Sequence, residues 1–197
     1  MKATRQIFDV PQEKVQVCES GRILVAIKEE MVKFVESVPV GVDEEGEMRY
    51  SEHEKTQYAY NTYWLENPTK SADALSVAKQ VVFNELTAYD ASPAVNSFSV
   101  NGETAWLDKA TRVGLMNSTT IAKSFGRTTT TLWLGDTKYN LDCDKAIALL
   151  SKIEMYAMEC YNRTAAHRQA IEELTDIADV LQYDFKEGYP NKLEITL

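Results

Sequence analysis

The chain has 197 residues, of which 44% are hydrophobic and 26% are charged, with eight glycines and five prolines. This composition allows a buried core and excludes wholesale disorder and collagen-like fibres. The formal net charge of −9 argues against nucleic acid as a partner, because phosphate contacts need clustered lysine and arginine. No apolar run reaches the roughly 20 residues of a membrane span, and no signal-peptide stretch begins the chain, so we expect a cytoplasmic protein without a membrane partner.

Residues 1–68 predict a β-rich N-terminal module. Four runs are rich in β-branched or aromatic residues, as strands are: 14–18, 23–27, 32–40 and 58–64. Six carboxylates lie between Asp43 and Glu54, around Gly46. They lack the alternating ligands and closing glutamate of a calcium loop, which favours a solvated hairpin tip. Pro68 marks the end of the module.

Residues 69–197 predict an α+β domain that opens with a long helix. Ser71 is a candidate N-cap, and Pro93 ends the segment, because the residue before a proline is disfavoured in helical geometry. Apolar residues recur at spacings of three and four, as on one face of a helix: Leu75, Ala78, Val82, Leu86 and Tyr89.

An internal repeat with an offset of 34 residues follows, at about 96–126 and 130–162. Each copy reads as a β-hairpin and then a helix, with Asn101-Gly102 or Gly135-Asp136 at the turn. Asp108 and Asp142 close the hairpins and are candidate caps for the next helices. We predict a closing helix over 165–181 and a short strand near the C-terminus.

Two histidines and three cysteines are the candidates for catalytic chemistry. Thr164 and His167 are candidate structural caps of the closing helix, with Thr164 at the N-cap and His167 at the N3 position. The spacing also places His167 on the inward face of that helix, which favours a structural histidine over a general base. Cys160 lies near in sequence but belongs to a wide apolar stripe, where cysteine behaves as a small hydrophobe. A small enzyme or ligand binder that uses His167 and Cys160 is therefore the less favoured alternative, and no cofactor or metal is expected.

An aromatic run near the end of the N-terminal module suggests a binding surface. It contains Tyr58, Tyr60, Tyr63 and Trp64. Tyr58 and Tyr60 share one face of a strand and Tyr63 lies on the other, so one side could meet a partner while the other is core. Packing of all four inside the protein is the alternative.

Several motifs after residue 85 resemble an uncharacterised domain family that is encoded in the tail modules of tailed phages and prophages. The matching segments are 88–98, 106–112, 131–135, 154–162, His167 with Ala170, and 183–193. Together they cover a little over half of the chain. The first 68 residues are a weaker match to the β-rich leader that often precedes such domains.

The resemblance implies a place in tail-fibre or tail-fibre-assembly proteins and assigns no catalytic residue. We therefore expect a non-enzymatic protein that binds a tail fibre or a neighbouring tail protein, as a structural component or an assembly chaperone. It would reside in the virion tail, or in the host cytoplasm during assembly, and could form a homo-oligomer. A carbohydrate- or receptor-binding module of the tail, with Trp64 and the tyrosines of the aromatic run as a stacking surface, is the alternative.

Overall fold

A computed structural model describes residues 2–67 and 73–197, and in it the chain is an α+β protein. The chain forms two compact units. The first comprises the residues up to 82 together with 174–182, and the second comprises 83–173 and 183–197. This division differs from the predicted boundary at 68/69, because one continuous helix contributes to both units and a short segment near the C-terminus belongs to the first.

The first unit contains a four-stranded antiparallel sheet with the order β1-β4-β3-β2. Its strands are β1 (Thr4–Phe8), β2 (Val15–Val17), β3 (Ile23–Val42) and β4 (Met48–Leu65). The buried apolar residues of this sheet lie at the base of β3 and β4, where β1 and β2 pair with them. The N-terminal module is therefore β-rich, as the residue composition predicts.

Strands β3 and β4 are much longer than the sequence runs predicted. The runs 23–27 and 32–40 belong to one strand, and the charged stretch 51–57 is also strand. Cross-strand pairing outweighs the low strand propensity of these charged residues. The register shifts between Ile27 and Glu30 and again between Pro39 and Gly41, which indicates a β-bulge at each place.

The acidic stretch forms the turn between β3 and β4. One carboxylate oxygen of Asp43 accepts hydrogen bonds from the backbone N–H groups of Glu45 and Glu47, at 3.1 and 2.9 Å. Gly46 has a φ of +88°, which glycine adopts without steric cost. The carboxylates thus lie at and beside a hairpin tip, as the spacing of the acidic residues predicted.

Helix α1 (Ala74–Asp90) buries Ala78, Val82 and Leu86, in agreement with the predicted periodicity. The predicted cap Ser71 lies outside the described residues. Asp73 instead accepts hydrogen bonds from the backbone N–H and the hydroxyl of Ser76, at 2.9 and 2.7 Å.

The second unit contains the two predicted hairpin–helix copies. Its elements are α2 (Pro93–Asn96), β5 (Phe98–Val100), β6 (Glu103–Ala105), α3 (Lys109–Ser124), β7 (Thr129–Leu134), β8 (Thr137–Asp142), α4 (Cys143–Glu173) and β9 (Glu194–Ile195). Asn101 and Gly102 have φ values of 52° and 86°, as a tight turn between β5 and β6 requires. Strand β9 pairs in parallel with β5.

Both hairpins contribute to one hydrophobic core. The core joins residues of β5, β6, β7, α4 and β9, and its buried members include Phe98, Val100, Leu132, Leu134 and Ile153. Phe98 and Leu132, and likewise Val100 and Leu134, are equivalent positions of the repeat. The two copies therefore bury the same side of their first strands.

The predicted closing helix over 165–181 ends where a helix ends, but its start and its continuity are wrong. Helix α4 continues through Thr164 to Glu173, and a separate helix α5 (Ile177–Gln182) follows in the first unit. Thr164 is thus inside a helix, where its hydroxyl lies 3.2 Å from the Cys160 carbonyl four residues earlier. Asp176, whose carboxylate accepts from the Ala178 N–H at 2.7 Å, begins the new helix instead.

Candidate functional site

His167 lies on α4 and holds the C-terminal aromatic turn, which we define as residues 183–190. Its side chain is 1% exposed. Nε2 lies 3.0 Å from the backbone oxygen of Glu187, and Nδ1 lies 2.9 Å from the hydroxyl of Tyr183. A carbonyl oxygen only accepts, so Nε2 carries the proton and Nδ1 accepts from Tyr183. Both ring nitrogens are therefore occupied.

The surroundings of His167 favour a neutral imidazole. Burial lowers the pKa of His167, and the nearby Arg163 guanidinium lowers that pKa further. The rings of Tyr183 and Tyr189 lie with their centroids 5.6 Å from the imidazole. A general base needs access to a substrate proton. The His167 ring has no such access, because it is buried and both of its nitrogens already have hydrogen-bond partners. The geometry supports the structural role that the sequence favoured, by a different route: His167 lies in mid-helix and not at an N3 capping position.

Thr164 connects the aromatic turn to the end of α1. Its hydroxyl lies 2.7 Å from a carboxylate oxygen of Asp90 and 2.9 Å from the hydroxyl of Tyr189. Since a carboxylate accepts, Thr164 donates to Asp90 and Tyr189 donates to Thr164. The residue predicted as a helix cap is therefore the centre of a polar relay inside the second unit. The sequence held no signal for this relay, since Asp90 and Thr164 lie 74 residues apart.

Arg163 holds the same turn from outside. Its Nε donates to the Glu187 carbonyl at 3.1 Å, the oxygen that His167 also uses. Gly188, with a φ of +77°, leaves the room that the guanidinium occupies: a Cβ there would lie 2.3 Å from an Arg163 nitrogen. The turn is thus fixed by hydrogen bonds and by the absence of a side chain.

Cys160 is fully buried and does not pair with His167. Its thiol lies 3.4 Å from the Val95 carbonyl, which also accepts from the Tyr156 hydroxyl at 3.0 Å. Burial raises the pKa of the Cys160 thiol, and burial also raises the pKa of Tyr156 to about 12. A nucleophilic cysteine needs a lowered pKa and access, so this environment is that of a structural thiol.

The predicted partner surface at the end of β4 is mostly core. Tyr60 and Tyr63 are 4% and 7% exposed, so their prediction as partner contacts is wrong. The Tyr60 hydroxyl accepts from the Gln12 N–H at 2.8 Å, and Tyr58 is half-buried. Trp64 is 36% exposed, with the Arg22 guanidinium 4.8 Å from its ring centroid, so a cation already covers part of that ring.

The two predicted aspartate caps lie at helix starts. Asp108 accepts from the backbone N–H and the hydroxyl of Thr111 at 2.8 and 2.9 Å, and Asp142 accepts from the Asp144 N–H at 2.8 Å. Within residues 2–67 and 73–197, no group of three His, Cys, Asp or Glu side chains is placed to hold a metal ion.

The most exposed apolar surface of the first unit was not predicted as a site. We define the arm as residues 32–57, the part of the β3–β4 hairpin beyond the last pair with β1. Four of its six exposed large apolar residues lie on one face: Val35, Val42, Met48 and Tyr50. Val38 lies on the opposite face, and Val40 is at the bulge. The register places Val42 opposite Met48 and Pro39 opposite Tyr50, and the bulge beside Val40 keeps both pairs on this face.

A cleft of about 310 Å³ opens in the second unit between α2, the start of α3 and α4. Trp106 and Tyr161 line it with 37% and 68% of their surfaces exposed. Asp90 and Lys109 add charged groups of both signs. Half of the ten lining residues are polar or charged, so the cleft combines two exposed aromatic rings with several hydrogen-bonding groups.

Searches of family models, curated proteins and solved structures found no match to this chain. Among the helices of the described residues, none combines the length and the apolar character needed to cross a bilayer.

Proposed function

We propose that this chain is a non-enzymatic protein of a phage or prophage tail that binds a neighbouring tail protein through its arm. It would act as a structural component or as an assembly chaperone, in the virion tail or in the host cytoplasm during assembly. The tail context comes from the sequence resemblance. The observation that carries binding is the exposed apolar face of the arm.

Among the described residues, no third strand pairs with the two strands of the arm. A two-stranded ribbon is marginally stable alone, and three strands or a packed layer are usual. β1 ends its pairing at Tyr58 and β2 at Val25, so the arm continues beyond both with two strands. An exposed apolar face on such an extension is typical of a surface that becomes buried against a partner.

Charge indicates the chemistry of that partner. The arm carries seven acidic and three basic side chains, and four of the acidic ones surround the tip. Opposite potentials favour association, whereas two copies of an acidic tip repel each other. We therefore expect a basic surface with an apolar groove on a neighbouring tail protein.

The absence of catalytic geometry at His167 and Cys160 supports a binding role. The two groups proposed for an enzyme are engaged in separate structural contacts, the imidazole with Tyr183 and Glu187, the thiol with Val95. Neither faces the cleft beside Trp106.

Replacing residues 36–53 by an Asn-Gly turn tests the proposal, because it keeps the Val35–Glu54 pair and closes the shortened hairpin with a favoured turn. The full chain should be found in purified virions by mass spectrometry, or co-purify with a product of an adjacent tail gene. The shortened variant should lose that association and keep the thermal unfolding of the second unit.

The proposal fails if the full chain is absent from virions and also co-purifies with none of those products. If the shortened variant associates as well as the full chain, the arm is not part of the interface. Phe125→Ser is the control, since Phe125 is 84% exposed and lies in the second unit. It should bind like the natural chain.

Glycan binding is the second candidate, and the Trp106–Tyr161 cleft is the observation that favours it. The ring of Trp64, the earlier candidate, is partly covered by Arg22. Tyr161→Ala should abolish binding on a glycan array, while Tyr161→Phe keeps the ring and the binding. If neither the natural chain nor Tyr161→Phe binds any glycan, this candidate is eliminated.

A further inference from the structure

The free outer edge of β4 in the arm is regular, and that of β3 is interrupted. Within the arm, β3 carries a bulge between Pro39 and Gly41, and proline has no N–H to donate. Bulges and prolines hinder the pairing of an edge strand, and charged side chains admit only a strand whose charges complement them. β4 contains no proline or glycine from Met48 to Leu65.

The β4 edge also continues a pairing that already exists. β1 pairs antiparallel with residues Tyr58–Thr62 of β4, in an unbroken register. Asp9, just after β1, accepts from Gln57 at 2.8 Å and lies 4.0 Å from the Lys55 ammonium. The eight residues Met48–Lys55 are the next stretch of this edge, and β1 does not reach them.

The side chains of this stretch are sorted by charge between the two faces of the arm. Alternate residues of a strand point to opposite faces. One face therefore presents Met48, Tyr50, Glu52 and Glu54, and the other presents Arg49, Ser51, His53 and Lys55. On β4 itself the acidic groups lie on the first face and the basic groups on the second. β3 places Lys33 3.9 Å from Glu54 and Glu36 3.7 Å from Lys55, whereas a strand added to β4 approaches these side chains from the other edge.

We propose that the partner adds an antiparallel β-strand to β4 along Met48–Lys55, extending the line of β1. This rests on the proposed function and specifies its contact. The added strand carries apolar residues opposite Met48 and Tyr50 and basic residues opposite Glu52 and Glu54. On the other face it carries acidic residues opposite Arg49 and Lys55. Backbone hydrogen bonds supply the affinity, and the charge pattern sets register and facing.

The test uses an eight-residue peptide with that pattern, two lysines facing the glutamates and two glutamates facing Arg49 and Lys55. The control peptide exchanges its lysines and glutamates and so has the same composition. Each directly opposed charge pair stabilises a sheet and each like pair destabilises it. Four such pairs should give the patterned peptide at least about a tenfold higher affinity. Equal affinities, or no binding of the patterned peptide, would overturn the proposal.

Two charge variants distinguish specific charge pairing along the strand from general attraction by net charge. Glu52→Lys/Glu54→Lys and Glu44→Lys/Glu45→Lys change the net charge equally, but only the first pair lies in the proposed contact. The strand variant should lose the preference for the patterned peptide, and the tip variant should keep it. Loss of the preference in both would show that charge alone attracts the peptide and would contradict the proposal.

Hydrogen exchange locates the added strand. In the full chain with the patterned peptide, alternate amides of Met48–Lys55 should gain protection, and the outer amides of β3 should not. Protection on β3 instead, or on neither strand, overturns the edge assignment. That result would leave the proposed function standing, since the shortened arm tests it through association with virions.

Discussion

Thr137 donates a hydrogen bond of 2.5 Å to a carboxylate oxygen of Glu103, and these two residues occupy the same position in the two copies of the repeat. Both begin the second strand of their hairpin. Gly135 lies beside the same junction, where a Cβ would meet Thr104 and Ala105 at ordinary contact distances. At this junction the two copies therefore meet through one pair of equivalent positions.

The Thr137–Glu103 pair should contribute little free energy, because it is solvent-exposed. We expect Thr137→Val and Glu103→Gln each to lower the free energy of unfolding by less than about 1.5 kcal/mol. A double-mutant cycle by urea denaturation should give a coupling below about 1 kcal/mol. A coupling of several kcal/mol would mean that the junction is a major source of stability.

Much of the fold follows from local sequence signals, and the exceptions have a common cause. The repeat, its turn at Asn101-Gly102 and the cap at Asp108 depend on neighbouring residues, and the sequence predicts them. The helix break before Thr164 and the partner role of Tyr60 were wrong because distant contacts decide both. Asp90 stabilises the Thr164 hydroxyl within a continuous helix, and the Gln12 loop covers the Tyr60 hydroxyl.

The arm, our candidate interface, was also predicted only as far as local sequence signals reach. The charged residues of β4 have low strand propensity, so periodicity did not predict that 51–57 pairs with β3. The acidic tip was predicted, since glycine and carboxylates mark a turn locally. The length of the arm was not, because it depends on the cross-strand register.

Gly188→Ala should destabilise the second unit more than Gly102→Ala. The two glycines have φ values of +77° and +86°, so both substitutions impose a similar backbone strain of about 1–2 kcal/mol. Only at Gly188 does the new Cβ displace the Arg163 guanidinium, whose hydrogen bond to Glu187 is then lost. We expect an additional loss of about 1 kcal/mol in urea denaturation. Equal losses for the two variants would show that Arg163 adjusts without cost.

Thr164→Val should cost about 1–3 kcal/mol, because it removes the hydroxyl between Asp90 and Tyr189 and leaves polar groups without their partner. Thr164→Ser retains the hydroxyl and should restore most of that stability. Thermal and urea unfolding of the three proteins at one pH provides the comparison. If Thr164→Val is as stable as the natural protein, the relay does not stabilise the second unit, because valine keeps the methyl group and lacks only the hydroxyl.

Stability should fall as the pH decreases below about 6.5, the ordinary pKa of histidine. Burial lowers the pKa of His167 in the folded state, so between the two pKa values the unfolded state binds more protons. The neutral imidazole thus stabilises the fold fully above the unfolded pKa, and this contribution is lost as the pH falls toward the folded pKa. Urea denaturation between pH 5.5 and 7.5 measures the slope.

His167→Gln should flatten that slope, at the expense of stability at pH 7.5, where the bonds to Tyr183 and Glu187 are weakened or lost. His53→Gln, on the exposed arm, is the matched control and should retain the slope of the natural chain. A slope that persists in His167→Gln would assign the pH dependence to other groups.

Cysteine labelling should distinguish the thiols by burial. Cys160 and Cys143 are buried, whereas Cys18 is partly exposed, and burial raises the pKa of the Cys160 thiol. Because the thiolate is the reactive species, iodoacetamide under native conditions should modify Cys18 first and leave Cys160 unmodified. Mass spectrometry of the labelled peptides, before and after unfolding in urea, measures this order. Rapid native labelling of Cys160 would contradict its structural assignment and reopen the enzymatic alternative.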